Sequence, residues 1–394
     1  MKFGSGISIT MESGRAVEEV CDQALSQLDG KSADLALLFL SPHHANAYGP
    51  ILQTVRRRTQ ASNLLGCTGE GVIGRNQEYE RRPAISLLLA HLPDVSITPY
   101  ALAQEDLEES GEEGFWQEKF ELLPTQEPTF LLLPEPFSFD AMTFVVELNR
   151  DFPGIPIIGG IASGASQPGE VVLFLNDRVI RQGGVTASLT GNIAVETVVS
   201  QGCRPIGQSF VITQGDRNII YKLSGRPALE VVREMLASVS DRDRHLAQTA
   251  LLVGRVIDEY KEELNRGDFL IRNLIGADPQ SGAIAIGDFV RPGQTIQFHV
   301  RDAETASEDL HLLLGQHAKG WKRGSPEGAL LFSCNGRGQG LYGVRNHDID
   351  TVRKITGEYP IAGFFCNGEI GPVGGQTFIH GFTSSIGFFR PRYF

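Results

Sequence analysis

Thiol, amide, carboxylate and guanidinium side chains recur in three short glycine-rich phrases: Cys67-Thr68-Gly69-Glu70, Cys334-Asn335-Gly336-Arg337-Gly338 and Cys366-Asn367-Gly368-Glu369. Glycine lets backbone amides approach a ligand closely, and unpaired amides in such loops favour anions. Arg337 can grip a carboxylate or phosphate through two parallel hydrogen bonds. Glu70 and Glu369 can take an ammonium, so a small zwitterion such as an amino acid would satisfy both signs. The structural alternative is an Arg337–Glu369 ion pair that only ties the loops together. The enzymatic alternative is a thiol reaction at Cys334 or Cys366, with nearby amides and Arg337 lowering the thiol pKa and His380 as the candidate base. Nine histidines, of which only His43 and His44 are adjacent, leave metal or haem ligation as a further alternative. The run Gly69-Glu70-Gly71-Val72-Ile73-Gly74 has dinucleotide-loop spacing, but residues 75–83 are polar, end in proline and cannot supply the helix that motif needs. The basic runs Arg56-Arg57-Arg58 and Arg81-Arg82 read as a solvated helix end and a loop, with anion binding as the alternative.

Apolar runs around these phrases show what must position them. Residues 35–40 predict a strand, 50–60 a helix, and Leu64-Leu65-Gly66 a second strand that leads into the first phrase. Residues 329–332, 350–356 and Ile361-Ala362-Gly363 predict the same unit before the last phrase. A third unit aligns with the first without a gap: residues 130–133 match 37–40, and Ile157-Ile158-Gly159 match Leu64-Leu65-Gly66. Phe144, Val145 and Leu148 take the places of Ile51, Leu52 and Val55, which keeps one apolar helical face. Its loop retains Ser163 as the polar side chain. Crossovers give parallel strand pairs, and hairpins such as the one around Asn176-Asp177 give antiparallel ones. The expected fold class is therefore α/β, with two domains and mixed β-sheets built on repeated strand-helix-strand units.

Ligands of such sheets bind beyond the carboxyl ends of the strands. That placement makes Cys67, Thr68, Glu70, Ser163, Cys334, Asn335, Arg337, Cys366, Asn367 and Glu369 the expected ligand-binding set. Gly225-Arg226-Pro227 opens a helix, and the domain boundary is placed there, giving domains of residues 1–226 and 227–394. Residues 105–121 hold eight acidic side chains against one lysine and predict an exposed loop or frayed helix inserted between units. An acidic partner-binding segment is the alternative there. Residues 377–389 predict one closing strand.

The 394 residues are too many for one ordinary core, which favours two domains. The net charge of −12 argues against a nucleic-acid surface. The longest apolar stretch, residues 84–92, is interrupted by His91 and is too short to cross a bilayer. Residues 14–28 read as an amphipathic helix and not as a secretion leader. Five cysteines with no C-x-x-C pair suit a reducing compartment, so a cytoplasmic location is expected.

Several of these residues together resemble the FIST family. The carriers are Gly66-Cys67-Thr68-Gly69-Glu70-Gly71, Pro156-Ile157-Ile158-Gly159-Gly160, Ser224-Gly225-Arg226-Pro227-Ala228, Cys334-Asn335-Gly336-Arg337-Gly338 and residues 363–371, which read GFFCNGEIG. The resemblance runs from about Asp34 to His380. It implies a FIST N-terminal and a FIST C-terminal domain, a sensory module for small ligands, amino acids among them, and no agreed catalytic residues. Bacterial relatives join it to kinase, cyclase or chemotaxis output domains, some resemble haem-based nitric oxide sensors, and eukaryotic ones place it behind an F-box. Neither an output domain nor an F-box is expected in this chain. The expectation is a stand-alone sensor without cofactor, acting through a separate signalling partner.

Overall fold

The computed structural model describes residues 1–321 and 324–393. The apolar runs form strands Leu35–Leu40, Thr129–Pro134 and Gly328–Cys334, buried along almost their whole length as parallel-sheet strands are. Each pairs in parallel with the strand beyond the next helix: Asn63–Thr68, Ile157–Gly160 and Ile361–Cys366. The intervening helices Tyr48–Thr59, Ala141–Asp151 and His347–Thr356 each bury one apolar face, with Ile51 and Val55, Phe144 and Leu148, and Ile349 and Val352 on it.

Three six-stranded sheets result, and their strand orders correspond. The first runs Lys2–Ser8, Ile85–His91, Leu35–Leu40, Asn63–Thr68, Leu173–Leu175, Arg178–Ile180. The second runs Val95–Leu102, Gly184–Gly191, Thr129–Pro134, Ile157–Gly160, Glu369–Val373, Gln376–His380. The third runs Ala194–Ser200, Ser384–Arg390, Gly328–Cys334, Ile361–Cys366, Gly71–Gly74, Gln77–Glu80. In each sheet the last two strands are a hairpin supplied by a distant part of the chain. The hairpin after Asn63–Thr68 joins the third sheet, the one after Ile361–Cys366 joins the second, and the one after Ile157–Gly160 joins the first. Residues 377–389 accordingly form two strands in two sheets, not one, with a break at residues 381–383.

A close approach of strands sets the register. A Cβ on Gly66, Gly159 or Gly363 would lie 2.0, 1.9 or 1.8 Å from the carbonyl oxygen of Leu38, Leu132 or Leu331, the residue opposite each in the parallel pair. Leu132 therefore corresponds to Leu38, and the gapless match of residues 130–133 to 37–40 is one residue out. Residues 105–121 are also better anchored than their charge implies. They carry the short helices Gln104–Glu109 and Phe115–Lys119. Trp116 is fully buried, its indole N–H donates to Glu147 at 2.8 Å, and Asp151 accepts from the amides of Gly114 and Trp116.

The chain forms two compact units. The first comprises Met1–Val199, His311–Ile379 and the segment from Thr383 onward; the second comprises Ser200–Leu310 and His380–Phe382. Residues 200–226 lie in the second unit and residues 311–379 in the first, so the compact units are drawn differently from sequence domains that meet at residue 226. The second unit is an antiparallel seven-stranded sheet whose core includes Ile206, Ile212, Val231, Met235 and Phe298. All ten residues of the expected ligand-binding set lie in the first unit. Among the described residues no helix is long and apolar enough to cross a membrane.

Candidate functional site

Hairpin exchange brings together the loops that follow the three second strands. Ser163 joins them: its amide donates to Thr68 O at 3.1 Å, its hydroxyl accepts from the Glu70 amide at 2.8 Å, and the same hydroxyl donates to Phe365 O at 2.5 Å. The Ile161 amide donates to Gly368 O and the Asn367 amide to Ile161 O, at 2.8 and 3.1 Å. The Asn367 side chain donates to Ala162 O at 3.2 Å, and Asn335 donates to the Asn367 side-chain oxygen at 2.8 Å. These bonds satisfy the backbone of three loops at one place, as buried loops require.

The register explains which residues meet. Ile73, Ile370 and Phe174 are the hairpin residues opposite Gly363, Gly159 and Gly66. The path from Gly66 to Ile73 equals that from Gly363 to Ile370, so Glu70 corresponds to Asn367 and Val72 to Glu369. Ser163, four places after Gly159, takes the same position in the remaining loop. The two Cys-x-Gly-Glu phrases are alike in letters but two residues out of step in the fold.

Glu70, Asn335 and Asn367 line an open cleft of about 500 Å³, together with His43, Arg81 and Ser166. Glu70 Oε1 stands 3.4 Å from Arg81 Nε, with side chains 40% and 82% exposed. The cleft thus presents one carboxylate, one guanidinium, two amides and an imidazole to solvent.

The other expected residues lie behind this surface. Thr68 is buried, and its hydroxyl accepts from the Val172 amide at 3.2 Å. Cys67 and Cys366 are fully buried, and burial pushes both thiols well above their ordinary pKa, with Glu369 adding to the effect on Cys366. Cys334 is half-buried, and its sulfur accepts from the Gly336 amide at 3.5 Å.

Two expectations need correction. Arg337 is 1% exposed, and it grips Asp348 through Nε and Nη2 at 2.7 and 3.0 Å instead of facing a ligand or pairing with Glu369. Glu369 is fully buried and accepts from the Thr383 amide and hydroxyl at 3.0 and 2.6 Å, so it does not reach the cleft. Glycine in the Arg337 loop allows the chain to turn the guanidinium inward, toward the first turn of helix His347–Thr356, where Asp348 sits.

Around this pair the electrostatics are those of a buried cluster. Burial pushes the Asp348 carboxyl up, but the Arg337 guanidinium outweighs it and holds the group below the usual carboxylate range. Glu78 accepts from the Ile349 amide at 2.7 Å, and burial and Asp348 push its pKa well up. Burial raises Glu369 to about 8 against the opposing effect of Thr383. His43 and His44 diverge: His43 lines the cleft, whereas His44 is buried with Nδ1 2.8 Å from Ser13 Oγ. Among the described residues no group of three His, Cys, Asp or Glu is placed to hold a metal ion.

Arg81 is the guanidinium that lines this cleft, and its sequence signal is only the Arg81-Arg82 run. Its backbone, at φ 52°, is in the left-handed region where the hairpin ends, a conformation that arginine's sequence context does not announce.

Residues 34–226 match the FIST N domain and residues 228–372 the FIST C domain. An uncharacterized protein of Mycobacterium tuberculosis (strain ATCC 25618 / H37Rv) is 38% identical over 389 residues, covering 99% of this chain and 100% of the relative. An uncharacterized protein of Mycobacterium bovis is 37% identical over 389 residues, covering 99% of each chain.

Proposed function

The chain belongs to the FIST family, whose domains are associated with sensory signal transduction, and from that premise we propose a cytoplasmic sensor that binds a small zwitterion without turnover or cofactor. The observation that carries this reading is the Glu70–Arg81 pair facing solvent in the cleft. An exposed ion pair contributes only about 0–1 kcal/mol, so exchanging it for a ligand's ammonium and carboxylate costs little. The ammonium replaces Arg81 at Glu70, the carboxylate takes the Arg81 fork, and Asn335 and Asn367 offer further donors and acceptors. A separate protein partner reads the occupied state.

The thiols support the non-catalytic part of the reading. Thiolate is the nucleophilic form, and Cys67 and Cys366 are buried with raised pKa values. A cysteine-dependent reaction would have to use the half-buried Cys334. Titration calorimetry with free amino acids tests the proposal. Saturable binding that Glu70→Gln and Arg81→Ala each weaken by about tenfold or more supports it. Equal affinity in wild type and both variants removes the cleft from the site.

A further inference from the structure

The Glu70–Arg81 cleft has a neighbour. A second cleft, of about 610 Å³, shares Pro42, Gly164, Ala165 and Ser166 with the first, so these residues form a common wall. Most of that wall is extra chain. From the second-strand glycine to the hairpin residue in the next sheet, Gly66 to Ile73 and Gly363 to Ile370 span seven residues, whereas Gly159 to Phe174 spans fifteen. The additional length is used to line two cavities with small side chains and accessible backbone. At the seam Gly164, at φ 98°, comes so close to the Pro42 ring that a Cβ there would lie 2.6 Å from Pro42 Cγ.

The far cleft has its own polar equipment. Arg181, Glu170, Asn46, Gln167 and Tyr48 line it. The exposed Arg181 guanidinium donates to Gly169 O at 2.5 Å and makes no ion pair among the described residues, even though Glu170 lines the same cleft. A guanidinium with donors to spare favours a carboxylate. The single acid beside it disfavours polyanions. Each cleft alone falls within the roughly 300–1,000 Å³ range that takes a drug-sized ligand, so a free amino acid leaves most of the paired volume empty.

Building on the zwitterion-binding reading above, we propose that the two clefts are subsites for one short peptide. Its α-ammonium seats on Glu70, its backbone crosses the wall at residues 164–166, and its terminal carboxylate reaches Arg181. The amides of Asn335 and Asn367 on one side, and of Asn46 and Gln167 on the other, match the alternating donors and acceptors of a peptide backbone. Nothing is cleaved: the peptide is the sensed molecule.

The test is calorimetric titration of the full chain with free amino acids, the corresponding homotripeptides and the tripeptides' C-terminal amides. The expected result is a tripeptide that binds about tenfold or more tighter than its amino acid. C-terminal amidation or Arg181→Ala should each remove that gain, and Arg181→Ala should leave the amino-acid affinity unchanged. Equal affinities for amino acid and tripeptide, or a tripeptide gain that survives both Arg181→Ala and amidation, overturn the two-subsite inference while the amino-acid reading stands. No binding of any probe to folded wild type overturns both.

Discussion

Two carboxylate–guanidinium pairs in the first unit use the same chemistry in opposite surroundings. Arg337 and Asp348 are 0% and 1% exposed in their side chains and joined by two hydrogen bonds; Glu70 and Arg81 are 40% and 82% exposed and meet at one 3.4 Å contact. Taking charges out of water is expensive, so a buried pair persists only through close two-point contact, and here Arg337 Nη1 is left buried without a hydrogen-bond partner among the described residues. An exposed pair is weakly held and is easily exchanged. A guanidinium in a glycine loop therefore identifies neither a binding site nor a structural tie until its burial is known.

The buried pair should break most expensively. Asp348→Ala leaves Arg337 charged and without its carboxylate in the interior, and should cost about 3–5 kcal/mol of stability by denaturant unfolding. A loss below about 1 kcal/mol would mean that the pair is solvated and that the contrast fails.

Next is a pH dependence that only the buried side can give. Glu369 is raised from its ordinary 4.5 to about 8, so the folded state holds a proton that the unfolded state has lost. That contribution is full below about pH 4.5 and disappears as pH rises through about 8. Stability should therefore fall over this window by up to about 1.4 kcal/mol per pH unit from this group. The isosteric Glu369→Gln, which cannot ionise, should flatten the profile, and unfolding at pH 5, 6.5 and 8 measures it. Glu78, also raised, acts in the same direction, so some slope remains in the variant.

The smallest stability effect belongs to the cleft. Glu70→Gln should change unfolding free energy by less than about 1 kcal/mol. A large loss would make this pair structural too.

The strands and parallel pairs were legible because their cause is local. Leu35–Leu40 and Ile361–Cys366 are short apolar runs, and helix Tyr48–Thr59 carries its apolar face at helical spacing. The exchange of hairpins was not legible, since the partner of Ile73 is Gly363, far along the chain, and nothing around residue 73 reports it. That missing pairing is also why the site was only partly readable. Matching letters aligned Glu70 with Glu369, whereas the backbone aligns Glu70 with Asn367, and the two-residue offset carries Glu369 into the core. Ser163, Asn335 and Asn367 were placed among the site residues from sequence and do meet there, Ser163 as the buried clip beneath the cleft. Arg81 reaches the cleft only because the hairpin that begins next to Glu70 returns its far end beside it.

On the proposed reading the exposed pair, and not the buried one, meets the ligand. Calorimetric titration of amino acids into wild type and Glu70→Gln, both verified as equally stable, tests it most directly. The expected result is saturable binding to wild type and at least about a tenfold loss in the variant. Undiminished binding by a fully folded Glu70→Gln protein would contradict it.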